Sequence, residues 1–124
     1  MDLTPFVSAD RQLVNGYGDL GFTITGVRYD GSVLVFPGQV VPWPIAAFAD
    51  LTVDALAAVV AAEPKPDILI IGCGKGMQAV PRDLRAQIRA AGIVIEAMDT
   101  GAACRTYNVL LAEDRRVAAA LIAV

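Results

Sequence analysis

The sequence predicts a single α/β domain over residues 1–124, built as an N-terminal β hairpin followed by β-α-β-α-β, with an irregular segment over about residues 1–18. Three observations carry this. Asp67–Ile71 is an aliphatic run without polar alternation, the pattern of a strand covered on both faces. Segments with apolar residues at three- and four-residue spacing stand on either side of it. Their connections are short, as in parallel strands joined by right-handed crossovers. No internal repeat or low-complexity linker interrupts the chain, and at 124 residues it can bury roughly two-thirds of its unfolded surface.

In order along the chain, Phe22 and Ile24, then Val27 and Tyr29, alternate as in extended chain with one buried face. Asp30-Gly31 suits a tight hairpin turn because glycine tolerates positive φ, and Ser32–Phe36 is the returning strand. The uncharged stretch Gly31–Ala49 approaches membrane-spanning length, but Pro37, Pro42 and Pro44 break it, so it reads as loop and buried edge. Trp43, stiffened by a proline on each side, is either a core plug or a rigid interface anchor. Thr52 can cap a helix with Leu56, Val59 and Val60 on one face, ending before Pro64 and Pro66. The strand Asp67–Ile71 is expected to be central. Pro81 suits the first turn of a second helix, Leu84 and Ile88 give it an apolar face, and Gly92 ends it. Ile93–Ala97 is the next strand. Thr100 can cap a third helix through about Ala112, the charged Glu113–Arg116 forms a solvated turn, and Arg116–Ile122 reads as a last strand, although its alanines also permit helix.

Composition narrows the function. A formal charge of -3 with dispersed basic residues gives no footprint for nucleic acid or for an acidic membrane surface. Asp2 and Asp10 stand where a secretory signal would carry positive charge and an apolar run, so a cytoplasmic chain without direct membrane insertion is expected. Two cysteines and no histidine make neither a disulfide scaffold nor a structural zinc site. No metal and no cofactor is expected.

Candidate chemistry gathers at two places. Gly72-Cys73-Gly74-Lys75-Gly76 follows the aliphatic strand, where open α/β sheets place ligands and where glycine amides can approach an anion. It lacks the Lys-Ser/Thr of a phosphate loop and the third glycine of a dinucleotide fingerprint, and Glu96 falls inside a strand. A structural turn and a small-anion pocket both remain open. Cys73 would need Lys75 and backbone donors to become a reactive thiol, and the chain offers it no histidine base. The second cluster, Met98-Asp99-Thr100 with Cys104-Arg105-Thr106-Tyr107-Asn108, lies at a strand end and the start of a helix, beside the glycine turn in a parallel sheet. Asp99 or Thr100 caps that helix and Arg105 pairs with Asp99 or Glu96, or else Lys75, Arg105 and Asn108 converge with the glycine amides on a carboxylate or phosphate. The candidate site is therefore Gly72, Cys73, Gly74, Lys75, Asp99, Thr100, Arg105 and Asn108.

On Gly31-Ser32-Val33 ahead of a proline and Trp43, on Ile70–Gly74, on Gly92-Ile93 through Glu96–Thr100 to Ala103–Leu110, and on Glu113–Leu121, the chain resembles a small-domain family. That family includes mitochondrial complex I assembly factor three and the adipogenesis-associated protein. The resemblance implies a three-layer fold, with helices on one side of a mixed central sheet and a smaller β and α layer on the other. It implies no catalytic residue, and threonine stands in many members where this chain has Cys73. It groups the chain with prokaryotic members and points to a non-enzymatic interaction or assembly factor with a protein partner. The alternative is a protein, possibly catalytic, that binds a small anionic metabolite at the Gly72–Gly76 turn. The proline-flanked edge near Trp43 also allows pairing with a second copy.

Overall fold

The computed structural model describes residues 11–124. Of the irregular segment expected over residues 1–18, the first ten residues lie outside the described ones, and Val14–Gly18 forms strand β1 instead. With β2 (Gly21–Ile24) and β3 (Val27–Asp30) it makes a small antiparallel sheet in the order β1-β2-β3. A second, five-stranded sheet contains β4 (Val33–Phe36), β5 (Gln39–Pro42), β6 (Ile68–Gly72), β7 (Val94–Met98) and β8 (Val117–Leu121), in the order β5-β4-β8-β6-β7. The helices are α1 (Ala57–Val60), α2 (Arg82–Ala90) and α3 (Thr100–Ala112).

The hairpin expected at Asp30-Gly31 is corrected. β3 and β4 belong to different sheets, so this dipeptide joins layers. The hairpins are β1–β2, β2–β3 and β4–β5. The first turns through Asp19-Leu20 and the second through Thr25-Gly26, with positive φ at all four residues (53°, 59°, 49° and 79°), the mirror-image turn that matches strand twist. β6 is an interior strand, as expected, paired with β7 on one side and β8 on the other, and β8 stands in the middle of the sheet. β8 runs antiparallel to β4, with Val33 opposite Leu121, and parallel to β6, with Ile68 opposite Val117. All five of its residues are buried, and three successive alanines let layers approach closely from both faces.

Alternation assigns each strand residue to one of two cores. Leu34, Phe36, Leu69, Ile71, Ala118, Ala120 and Ile122 face α1 and α2, where Leu56, Val59, Leu84 and Ile88 pack on them. Val33, Val35, Ile70, Val117, Ala119 and Leu121 face the other way, towards α3 and the small sheet. The fold is thus three layers around a mixed sheet. A nine-residue helix such as α2 would not persist alone; burying Leu84 and Ile88, at about 1.5–3 kcal/mol each, holds it in place. Gly92 ends it at φ 89°. Thr52 accepts a bond from the Ala55 N–H at 3.1 Å, although the helix it caps is a short 3-10 turn running into α1. Trp43 is a core plug: it is buried, and its indole N–H donates to the Ala55 carbonyl at 2.8 Å.

The helix α3 buries Ala103, Tyr107 and Leu111, four residues apart, in the second core. Polar bonds then pin the small sheet to it. Asn108 donates through Nδ2 to the Val14 carbonyl at 2.8 Å and accepts the Val14 N–H at 3.0 Å. The Tyr107 hydroxyl donates to the Gln12 carbonyl at 3.1 Å. Asn108→Ala should cost about 1–3 kcal/mol by leaving Val14 unmet. Amide exchange should quicken in β1–β3 while β6 and β8 stay protected; equal acceleration in both sheets would refute the clamp.

Candidate functional site

The glycine turn, the start of α3 and the end of β8 meet in one joint. The Cys73 N–H donates to the Met98 carbonyl at 2.8 Å, and the Gly74 N–H donates to Thr100 Oγ1 at 3.0 Å. The Thr100 N–H returns a bond to the Gly74 carbonyl at 2.8 Å. Its hydroxyl donates to the Ile122 carbonyl at 2.7 Å, and the Ile122 N–H donates to the Gly72 carbonyl at 3.0 Å. The approach is close at Gly72, where a Cβ would stand 3.0 Å from both Cα and Oγ1 of Thr100 and would push them back by a few tenths of an ångström. Gly101, on the next residue of α3, lies against the outer end of the exposed Tyr17 ring, which a Cβ there would displace.

The cap of α3 is Asp99, not Thr100: its Oδ1 accepts the Ala102 N–H at 2.9 Å. A carboxylate therefore already occupies the positive end of the helix. The amides of Cys73 and Gly74 are bonded within the protein, whereas those of Lys75 and Gly76 have no partner among the described residues.

Cys73 is buried, and its thiol reaches only the carbonyls of Ile71 and Gln78, at 3.8 and 3.7 Å. Burial, above all, pushes its pKa up, opposite to what a nucleophilic thiol requires. Burial pushes Cys104 up to about 12, and both cysteines are free.

Of the eight residues singled out from sequence, Gly72, Cys73, Gly74, Asp99 and Thr100 come together in the joint. Lys75 and Arg105 are exposed beside it, and Arg105 forms no ion pair with Asp99 or Glu96 among the described residues. Asn108 is turned to β1. The clefts lie elsewhere. One of about 300 Å³ is lined by Phe36, Pro37, Pro64 and Pro66 with Arg116, at the opposite end of the sheet. Another, of about 260 Å³, runs beside α2 and β7 and carries Arg82, Arg85 and Arg89. Sequence reading passed over these three arginines, although their spacing of three and four on a short amphipathic helix was the available signal. No group of metal-binding side chains occurs among the described residues, and no helix among them is long and apolar enough to cross a membrane.

The model of the family described as "Protein of unknown function (DUF498/DUF598)" matches residues 14–122. This chain belongs to that family. Over 115 residues it is 30% identical to NADH dehydrogenase (ubiquinone) 1 alpha subcomplex assembly factor 3 of Xenopus tropicalis, covering 93% of this chain and 63% of that protein. The chain thus spans less than two thirds of that relative's length. An uncharacterized protein of Rhodobacter capsulatus is 37% identical over 109 residues, 88% of this chain and 82% of its own. Among solved structures, an outer membrane protein from Bartonella henselae superposes with a TM-score of 0.86 at 34% identity, covering 94% of this chain and 98% of that one. The resemblance read from Ile70–Gly74 and from Glu96–Leu110 holds, and the family match contains the whole joint.

Thr100→Val keeps the volume but leaves the Gly74 N–H and the Ile122 carbonyl unmet, so urea unfolding should show a loss of about 1–3 kcal/mol. Alkaline pH gives a second check. The thiol of Cys104 titrates near 9.0 when unfolded and near about 12 when folded, so the unfolded chain loses its proton first and stability falls as pH rises through that window. In Cys104→Ala this decline should be shallower; an unchanged slope would show that the thiol does not contribute.

Proposed function

We propose that this domain is a non-enzymatic interaction factor that docks on a protein partner during the assembly of a larger complex, in the cytoplasm. One observation carries the reading. The Cys73 and Gly74 amides and the Cys73 thiol at the strand end are bonded within the protein or buried, and Asp99 fills the start of α3, while Lys75 and Arg105 beside them are exposed. The joint of Gly72, Cys73, Gly74, Asp99 and Thr100 then acts as scaffold, and Lys75 and Arg105 contribute side chains to the docking surface.

Likeness to proteins named as NADH dehydrogenase assembly factors supports this reading, because the matched region takes in nearly all of this chain. By that likeness the partner is a component of such a dehydrogenase.

Affinity purification of the tagged chain from its native cell, under conditions that preserve known complexes, should recover a stoichiometric partner. Lys75→Glu with Arg105→Glu should reduce that recovery with stability changed by no more than about 0.5 kcal/mol, as expected for exposed positions. Recovery of the chain alone would count heavily against the reading. Anionic metabolites should leave the melting temperature unchanged, whereas a true ligand at a hundred times its dissociation constant would add about 2.7 kcal/mol.

A further inference from the structure

The helix α2 turns an apolar face to the sheet through Leu84 and Ile88. At about 100° per residue, Arg82, Arg85 and Arg89 fall within an arc of roughly 60° beside that face, and Asp83 falls outside it. They line one groove with Ala86, Val94 and Ile95, over the outermost strand β7. None of the three takes part in an ion pair among the described residues. Lys65 adds a fourth cation at the end of the row, its Nζ donating to the Ala91 carbonyl at 3.1 Å. Four of the ten basic residues of a chain with net charge -3 are thus gathered along one edge.

The strand under this row is open on its outer side. The Val94 N–H donates to the Asp67 carbonyl and the Met98 carbonyl accepts from the Cys73 N–H, so alternate residues of β7 point their main-chain groups inward. The intervening Ile95 and Ala97 then point theirs outward. The Ile95 carbonyl has drawn a donor from α2, Arg85 Nη1 at 2.8 Å, whereas Ala97 has no side-chain partner among the described residues. Glu96 lies on the opposite face of the sheet from Ile95 by the same alternation.

We propose that β7 and the arginine row of α2 form a docking site for an extended, acidic segment of a protein partner, added as a sixth strand to the five-stranded sheet. The main-chain groups of Ala97 and the Ile95 N–H supply the ladder, and the arginines receive carboxylates from alternate residues of the incoming strand. The spacings agree. Alternate side chains of a strand stand about 6.6–6.8 Å apart, and Arg85 and Arg89 are about 6 Å apart along the helix. An acidic peptide fits better than nucleic acid because the row has no aromatic side chain for base stacking and the rest of the chain is acidic. This inference rests on the reading of the domain as a protein-binding factor and names the surface and the chemistry of the partner.

The test titrates the ¹⁵N-labelled full chain, at low salt, with a capped eight-residue peptide alternating glutamate and valine. Amide shifts should concentrate at Ile95 and Ala97. Arg82→Glu with Arg89→Glu, both exposed, should weaken binding by about tenfold or more with an unchanged melting temperature. A peptide of the same charge with proline at every second position should bind more weakly because it cannot pair with the strand. Binding that ignores the arginine reversal would overturn the proposal. So would shifts confined to other strands, or polyuridylate or anionic vesicles binding with the same arginine dependence while the peptide does not. If a partner recovered from cells binds the wild type and the double variant equally, this surface is wrong and the interaction reading stands; if neither recovers one, the interaction reading itself fails.

Discussion

The structure depends on a single buried hydroxyl. Thr100 is fully buried, accepts the Gly74 N–H and donates to the Ile122 carbonyl, so both functions of its oxygen are satisfied away from water. Those bonds tie the end of β6, the start of α3 and the end of β8 to one point. They bring Gly72 close against Thr100, and through α3 they fix where Asn108 and Tyr107 can hold the small sheet. A change at Thr100 therefore bears on all three layers, while a change at Asn108 bears on one.

The same joint takes up part of the crevice that open α/β sheets ordinarily use for ligands at their strand ends. Asp99 supplies the negative charge that a phosphate would otherwise bring to the helix terminus, and the buried thiol of Cys73 is held in its protonated form. These interior groups thus serve architecture. The surface is uneven in charge, acidic overall yet with a row of arginines on α2.

Much of the fold was legible in the sequence because its signals are local. The aliphatic run of β6, the spacing of Leu84 and Ile88, and the boundaries of α3 each declare themselves within a few residues. The hairpins are masked for an equally local reason: Asp30-Gly31 carries the turn signature but joins two sheets, whereas Asp19-Leu20 makes a mirror-image turn with a leucine at positive φ. The middle position of β8 was hidden because three alanines have weak strand preference, and only close packing of layers on both faces selects them. At the site, the proximity of the glycine turn to Asp99 and Thr100 followed from parallel topology. The turning of Asn108 to β1 did not, because the partner is a backbone distant in sequence.

The two edges of the central sheet are blunted in different ways. Exposed strand edges invite pairing, and proteins blunt them with proline, charge or cover. On one side β5 ends in Pro42, which cannot donate to a ladder, and Pro44 follows the buried Trp43. On the other side β7 is guarded by charge: Arg85 occupies the Ile95 carbonyl, and Arg82 and Arg89 stand beside it. Two copies meeting along β7 would bring two arginine rows together, so this edge repels its own kind. Electrostatic guarding of that sort is selective where proline is not, because it excludes a basic strand and admits an acidic one.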